Sequence, residues 1–286
     1  MRDRSQHFDP RQTMKKDDFE IFHYREPKGT SVEVHHHDFY EIYMFLGGKV
    51  EYWVEGKVFQ LNPGDMLLIN PLELHRPIVS PESNVYERIV LWINKEHLKN
   101  MGDEKTDLTR CFDSALPTHT NLIRTSSSLA AKLYELSKES YKDEFGSSLC
   151  AKGILLQIMV ELNRLSQNSD TIKEHHTKSS PLVEDVLRYI GEHCSEELSL
   201  EAIAERFYVS KYHLSHQFRK ETGVSVYRYI MLKRLLVAKQ MLLAGAAAGD
   251  VCYSCGFRDY AGFYRAFKSE YGISPREFAS GEGLLI

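Results

Sequence analysis

Two stretches near the end of the chain are copies of each other, and this duplication constrains the fold more than any other feature. Residues 210–225 align without a gap on residues 259–274. Each copy begins with a residue suited to cap a helix N-terminus, Ser210 or Asp259, and each ends in Glu-x-Gly-x-Ser. Glycine at that place can adopt the left-handed conformation that ends a helix. The repeat therefore predicts two short helices of the same kind.

Each predicted helix has a narrow apolar side and a broad polar side. The apolar side holds two residues four apart, Leu214 with Phe218 and Phe263 with Phe267. The polar positions between them are Lys211, Ser215, His216 and Arg219 in the first copy, and Tyr260, Tyr264, Arg265 and Lys268 in the second. Two copies of an exposed, basic helix indicate a protein that binds two grooves of DNA.

The segments before each copy complete two helix-turn-helix motifs. A helix is predicted from Ser199 to Arg206 with a turn at 207–209, and another over 250–255 with a turn at 256–258. Residues 225–243 contain neither Pro nor Gly and predict one connecting helix. Its length is roughly 28 Å, at about 1.5 Å per residue. Recognition helices in successive major grooves lie about 34 Å apart, so the connector is about the right size.

The distribution of charge along the chain supports DNA binding, although the net charge of the whole chain does not. The formal net charge is −4. Between Arg206 and Lys239, however, there are eight basic residues and one acidic residue, Glu221. Attraction to phosphate acts over a short range at physiological salt, so a local basic surface is sufficient.

These motifs resemble those of the AraC/XylS family of transcriptional regulators. The run Gly256-Phe257-Arg258-Asp259-Tyr260, with Phe263-Tyr264-Arg265-Ala266-Phe267-Lys268 and Gly272-Ile273-Ser274-Pro275, resembles the signature of that family. By this resemblance, Tyr212, Ser215 and His216 meet bases in the first motif, and Tyr260, Ala261 and Arg265 do so in the second. Arginine can contact guanine through two hydrogen bonds, whereas Arg219 and Lys268, one turn further on, suit phosphates.

One departure from the family concerns the second motif. Residues 246–249 are Ala-Ala-Ala-Gly, where the family usually has a larger apolar residue. Lost burial of a few methylene groups, at about 0.8 kcal/mol each, weakens packing. We therefore expect the second motif to contribute less to DNA binding than the first.

The first half of the chain has a different character. Short segments rich in Val, Ile, Tyr and Phe predict strands at 31–37, 40–46, 50–54, 57–61, 66–69 and 88–93. Residues 126–145 and 149–165 then have helical apolar spacing. We expect an α+β multidomain protein: a flexible arm at 1–20, a cupin-like β-barrel with a helical pair at 21–167, a linker at 168–180, and an all-α DNA-binding domain with two helix-turn-helix motifs at 181–286.

A second resemblance concerns a possible ligand site. Gly29, His35, His37, Glu41 and Gly48 have the spacing of the first cupin motif, and His75 has the position of the histidine in the second. In enzymatic cupins the matching residues, here His35, His37, Glu41 and His75, bind a divalent metal. Three alternatives stay open: a metal, an organic effector, or hydrogen bonding within the barrel alone. We expect no resident cofactor and an effector site.

The candidate effector site consists of imidazole, carboxylate and aromatic side chains. Its members are His35, His37, Glu41, Tyr43, His75 and Trp92. Imidazoles and carboxylates hydrogen-bond to hydroxyl groups, and aromatic rings stack on C–H faces. Such a mixture is typical of sites for small polar molecules, and a sugar is the effector we expect.

The cysteines and the apolar segments exclude other classes of protein. Five cysteines scattered along the chain do not form a disulfide framework. Cys252 and Cys255 share one helix face, and we expect them to be packed in the core. No apolar run reaches the roughly 18 residues of a membrane helix, and no secretory signal follows the charged start. We expect a cytoplasmic protein without membrane contact.

Together these observations predict a ligand-responsive transcriptional activator and not an enzyme. Its partners would be double-stranded DNA, a small effector, RNA polymerase and a second copy of the chain bound through the helices at 126–167. Two linked DNA readers gain affinity by their high effective concentration. The alternatives are a metal-dependent cupin sensor or enzyme fused to a DNA-binding module, and a regulator whose β domain only dimerises.

Overall fold

The computed structural model describes residues 13–27, 32–116, 119–124, 127–167, 176–178 and 180–280. The chain divides into two compact units, Met1–Thr177 and Lys178–Ile286. Most of the predicted arm, together with Gly29 and Ser31, lies outside the described residues. Among the residues that are described, no helix has the length and apolar character needed to cross a bilayer.

The first unit contains two antiparallel sheets. Its strands are β1 (Phe19–Glu26), β2 (Tyr40–Gly47), β3 (Val50–Val54), β4 (Lys57–Gln60), β5 (Met66–Ile69), β6 (His75–Val79), β7 (Tyr86–Ile93), β8 (Leu122–Ile123) and β9 (His176–Lys178). One sheet has the order β1-β7-β2-β5-β8, and the other has the order β6-β3-β4-β9. The predicted barrel-like architecture is confirmed.

The alternation of side chains along each strand separates two cores. On β7, Val90 and Trp92 pack with residues of both sheets, including Tyr52 on β3. Ile89 and Leu91 point to the other face of the same sheet and pack against helices. Both faces of the five-stranded sheet are therefore buried, and the Trp92 face lies between the sheets.

The helices of the first unit are α1 (Lys95–Met101), α2 (Ser127–Glu139) and α3 (Ser147–Gln167), with a short 3-10 helix at Arg110–Phe112. α2 and α3 are the predicted helical pair. They cover the outer sheet face through Leu129, Leu133 and Leu155, all fully buried. α1 was not predicted from the sequence.

The structure differs from the sequence predictions in one strand and in the placement of two others. The described part of the predicted strand at 31–37 forms only one bridge, between His35 and His75. β1 starts at Phe19, inside the predicted arm, and β9 lies inside the predicted linker. The strands β1 and β6 were missed because polar residues interrupt their apolar pattern.

The second unit is entirely helical. Its helices are α4 (Pro181–His193), α5 (Leu200–Arg206), α6 (Lys211–Thr222), α7 (Val226–Leu243), α8 (Ala248–Ser254), α9 (Tyr260–Tyr271) and α10 (Pro275–Ser280). α5 with α6 and α8 with α9 are the two predicted helix-turn-helix motifs, and α7 connects them. Cys252 and Cys255 are fully buried, in line with packing. Burial and the nearby Cys194 and Cys252 raise the pKa of Cys255 to about 11.

Candidate functional sites: two exposed helices and a buried histidine cluster

The ends of α6 and α9 are formed by the same devices. The Ser210 hydroxyl accepts a hydrogen bond from the His213 amide at 3.1 Å, and the Asp259 carboxylate accepts one from the Gly262 amide at 2.7 Å. Gly223 and Gly272 end the helices with φ values of 84° and 80°. The predicted caps are therefore confirmed at both ends of both helices.

Both helices bury one side and expose the other. Leu214, Phe218, Phe263 and Phe267 are fully buried. The predicted contact residues that are exposed are Lys211, Tyr212, His216, Arg219, Ala261, Arg265 and Lys268. Ser215, Tyr260 and Tyr264 are half-buried. The structure thus presents the predicted residues on open helix faces, while the DNA contact of each one stays a prediction.

Some of these side chains already have partners on the surface. The Lys211 ammonium lies 2.8 Å from the Glu201 carboxylate. The Tyr212 ring is stacked with the His216 ring at a centroid distance of 6.2 Å, and the Lys268 ammonium lies over the Tyr264 ring. Exposed ion pairs of this type contribute little to stability, so Lys211 can leave Glu201 for a phosphate at small cost.

In the first unit, a buried carboxylate lies at the centre of the candidate effector site. Glu41 on β2 accepts hydrogen bonds from the Trp92 indole N–H at 2.9 Å and from the Tyr52 hydroxyl at 3.4 Å. The His37 Nε2 atom is 3.3 Å from the same carboxylate. Burial raises the pKa of Glu41, but the hydrogen bond and charge of His37 outweigh it, so the pKa is lowered overall. Glu41 is therefore ionised near neutral pH.

Three histidines are oriented around this carboxylate by the backbone. The Nδ1 atoms of His35, His37 and His75 lie 2.9, 2.8 and 2.9 Å from the carbonyl oxygens of Glu33, Phe39 and Glu73. Since a carbonyl oxygen only accepts, each Nδ1 carries the proton, and in a neutral ring Nε2 holds a lone pair.

The lone pair of His75 is buried without a donor. Within the part of the chain that the structure describes, the His75 Nε2 atom has no hydrogen-bond partner, whereas the His37 Nε2 atom faces the Glu41 carboxylate. Burial lowers the pKa of His75 well below its usual value, and it lowers that of His35 to about 4. The rings of His75 and His35 are therefore neutral at pH 7.

The arrangement fits a divalent metal ion. One ligand atom each from His37, Glu41 and His75 lies within 4.8 Å of the others, and all three residues are buried. Ligand atoms around a tetrahedral ion, at about 2.1 Å from it, are separated by about 3.4 Å. His35 is not part of this group, although its ring centroid is 4.4 Å from that of His75. The set expected from the cupin resemblance is thus brought together in three of its four members.

The remaining predicted effector residues, Trp92 and Tyr43, are buried among aromatic side chains between the sheets. Trp92 contacts the rings of Phe22 and Phe39, each at a centroid distance of 4.7 Å. Tyr43 is two residues further along β2 than Glu41, and its hydroxyl donates to the Tyr86 hydroxyl at 2.9 Å. The Tyr43 ring lies 4.8 Å from the ring of Tyr52, whose hydroxyl donates to Glu41.

Sequence reasoning missed several polar residues of this interior. Tyr52 hydrogen-bonds to Glu41, and Arg88 lies over the Tyr86 ring at 4.0 Å while its Nη1 pairs with Glu26 at 3.2 Å. The signal that could have found Arg88 is the alternation along β7, which places it on the same face as Tyr86 and Trp92.

Comparison with known proteins connects both sites to one kind of protein. A family model described as an AraC-like ligand binding domain matches residues 19–159. A second one, described as a helix-turn-helix domain, matches residues 203–281. The first match contains the histidine cluster, and the second contains most of α5 and all of α6 to α10.

Relatives align with nearly the whole chain. The HTH-type transcriptional activator RhaS of Salmonella schwarzengrund is 25% identical over 254 residues, which cover 88% of this chain and 89% of the relative. RhaS of Escherichia coli O139:H28 is 24% identical with the same coverage. Among solved structures, the apo form of a ToxT variant from Vibrio cholerae covers 93% of this chain and 98% of its own, with 14% identity and a TM-score of 0.41.

Proposed function

Because this chain belongs to the AraC/XylS family of DNA-binding transcriptional regulators and has an N-terminal ligand-binding domain, we propose that a small polar effector bound beside Glu41 controls its action on DNA. The observation that carries the proposal is the buried, ionised carboxylate between His37, Tyr52 and Trp92. Burying a charge is costly unless it has partners, so a site that retains one is adapted to a polar occupant.

The chemistry of the interior favours a sugar. Sugar hydroxyl groups donate hydrogen bonds that the Glu41 carboxylate can accept, and the oxygens of the Tyr43 and Tyr52 hydroxyls, which donate to Tyr86 and Glu41, can accept them as well. Trp92, Phe22 and Phe39 supply aromatic faces next to these groups. A site that combines convergent polar atoms with apolar walls is typical for a small-molecule ligand.

A metal ion is the second candidate, favoured by the buried Nε2 lone pair of His75 and by the nearby His37 and Glu41 side chains. Imidazole and carboxylate ligands suit zinc, iron, nickel and related ions. The backbone carbonyls that accept from Nδ1 orient the rings, as the hydrogen-bond partners of metal-bound histidines do. When bound, the ion would supply positive charge that neutralises Glu41 and attracts an oxygen-rich effector. The protein would then be a metal-dependent sensor.

One experiment separates the two candidates. Untagged protein purified without chelators is analysed by elemental mass spectrometry and titrated calorimetrically with monosaccharides, before and after dialysis against a chelator. The metal candidate predicts about one transition metal ion per chain, lost in His37→Ala and Glu41→Gln and kept in His23→Ala, a histidine outside the cluster. The organic-effector candidate predicts sugar binding without metal that Glu41→Gln abolishes. Absence of both metal and sugar binding would refute the assignment of this cluster as a polar effector site.

We also propose that the chain forms a homodimer through α3. Leu149 and Leu156 are seven residues apart, on one face of the helix, and are 75% and 40% exposed. Large apolar side chains repeated on a helix face favour association. Leu149→Asp with Leu156→Asp should shift the protein to monomer in sedimentation velocity. Leu243→Asp, which changes an equally exposed leucine on α7, should leave the dimer intact, and a wild-type monomer would contradict the proposal.

The described relatives suggest the direction of control. Both RhaS proteins are transcriptional activators. We extend this role to the present chain, with RNA polymerase as its partner and the cytoplasm as its compartment. Transcription in vitro from a promoter fused to a selected binding site should increase on addition of the protein. A decrease would make it a repressor.

A further inference from the structure

The turn that follows α5 starts with the same backbone conformation as the turn that follows α8. Tyr208 has φ of 54°, and Gly256 has φ of 84°. The Tyr208 amide donates to the Glu205 carbonyl at 3.1 Å, and the Gly256 amide donates to the Tyr253 carbonyl at 3.0 Å. Both residues are therefore the left-handed residue that follows the first helix of a helix-turn-helix motif.

This backbone conformation favours glycine. Residues with a Cβ atom are strained at positive φ, and a bulky residue there is an outlier that asks for an explanation. Gly256 fits this preference. A larger residue is also excluded there by the surrounding atoms, because an added Cβ would lie 2.7 Å from the Ser195 carbonyl oxygen. At the matching position of the first motif, the chain has tyrosine in place of glycine.

The Tyr208 side chain contributes nothing visible to the folded unit. It is 96% exposed. Within the described residues, its ring and hydroxyl make no hydrogen bond and no ring contact. Folding therefore accounts for neither the strain nor the exposed ring, and a partner that the side chain meets in a complex would account for both.

The position of Tyr208 indicates which partner this is. It lies two residues before Ser210, the N-cap of α6, and the first turn of α6 carries Lys211 and the 82% exposed Tyr212. Helix-turn-helix proteins place the N-terminal residues of the second helix in the major groove. Residues just before that N-terminus lie at the wall of the groove, where the phosphates run.

We propose that Tyr208 is a DNA-contacting residue whose hydroxyl donates a hydrogen bond to a backbone phosphate. Contacts of this type position the protein on the duplex without reading sequence. Because Gly256 has no side chain, the contact belongs to the first motif alone. The inference depends on DNA binding and is independent of which effector occupies the β domain.

The test uses the full chain and a duplex selected from a random pool by the wild-type protein. Fluorescence anisotropy at fixed salt gives the affinity of Tyr208→Phe, which keeps the ring and the strain but removes the hydroxyl. We expect binding about tenfold weaker, as for the loss of one hydrogen bond to a charged group. The loss should be equal for selected and unrelated duplexes, and the salt dependence should not change. Arg219→Met should instead reduce the salt slope by about one.

A second variant separates contact from folding. Tyr208→Gly should bind DNA at least as weakly as Tyr208→Phe while its melting temperature is not lower than that of the wild type, because the strain is relieved. Tyr253→Phe, which changes another exposed tyrosine beside the second turn, is the control and should bind as the wild type does. Binding of Tyr208→Phe within twofold of wild type would overturn the proposal. If transcription activation were lost while DNA affinity stayed, the partner would be a protein and the DNA contact would be wrong.

Discussion

The two helix-turn-helix motifs of the second unit share their exposed helices but differ in the residues that support them. α5 begins with Ser199, whose hydroxyl accepts the Ala202 amide at 3.1 Å. The N-cap residue of α8 is Ala247, which has an extended conformation but whose methyl group cannot accept a hydrogen bond. The first turn has three residues before the next N-cap and the second has four, with Arg258 as the extra residue. The two copies are thus more alike in α6 and α9 than in the helices and turns that precede them.

Equivalent glutamates in the two copies have taken different partners. Glu221 accepts the Ser180 amide at 2.9 Å, where α4 begins, and also binds Gln217. Glu270 pairs with Arg228 at the start of α7 at 2.8 Å. Glu221 therefore connects α6 to the N-terminus of α4, whereas Glu270 connects α9 to α7. Equivalent positions of the repeat therefore contact two different junctions of the unit.

The second motif compensates for its alanine-rich start with aromatic packing. The Phe267 ring lies 5.7, 4.5 and 5.5 Å from the rings of Phe263, Tyr271 and Phe278. In the first motif, Phe218 has one such neighbour, Tyr229, at 5.6 Å. The core of the second motif thus combines the aromatic rings of α9 and α10 with Val251 and Cys252 of α8, which are fully buried.

The largest effect that tests this comparison is expected at Gly256. Gly256→Ala should lower the free energy of unfolding by about 2–3 kcal/mol, since left-handed backbone and the Ser195 carbonyl both oppose a Cβ atom. Gly249→Ala, in α8 with no atom near the added Cβ, should raise it by up to about 1 kcal/mol. Urea denaturation followed by helical circular dichroism measures both. Equal stability of the two variants would show that the second turn tolerates a side chain as the first does.

A smaller effect is expected on DNA affinity. His216→Ala should weaken binding to a selected duplex by roughly 1–2 kcal/mol, as for one base contact, and Arg265→Ala should weaken it less. The reason is that α9 follows the helix without an N-terminal cap, so its contacts are less firmly positioned. Affinities of both variants are compared at one salt concentration, with the exposed Ser269→Ala as control. A larger loss for Arg265→Ala would reverse the ranking of the two motifs.

Sequence alone was sufficient for the second unit because its signals are local. Ser199, Ser210 and Asp259 begin helices, and Gly223 and Gly272 end them, as predicted. Caps and left-handed glycines act within one helical turn, so the chain displays them directly. The strained Tyr208 was not predicted, because nothing in its local sequence requires a positive φ.

The first unit was predicted less completely because its site depends on contacts distant in sequence. The cluster of His37, Glu41 and His75 followed from the cupin spacing, but the strand predicted at 31–37 is wrong. His35 meets His75 through one bridge, in which the His75 amide donates to the His35 carbonyl at 3.0 Å. Trp92 reaches Glu41 across 51 positions. Such pairings are fixed by strand register, which a single sequence does not reveal.

The smallest expected effect is the one that would make the two motifs alike. Ala247→Ser should raise the free energy of unfolding by about 1 kcal/mol, because the backbone at Ala247, with φ of −69° and ψ of 134°, already suits a capping serine. Ser199→Ala should lower it by a similar amount, and Ala246→Ser, one residue outside the cap, should change it little. The missing cap also accounts for the weaker contribution that we expect from Arg265. In protein that carries Ala247→Ser, Arg265→Ala should therefore cost more DNA affinity than it does in the wild type. The loss should approach the one caused by His216→Ala. A stabilised α8 without that convergence would mean that the two helices differ in their contacts to DNA and not in their support.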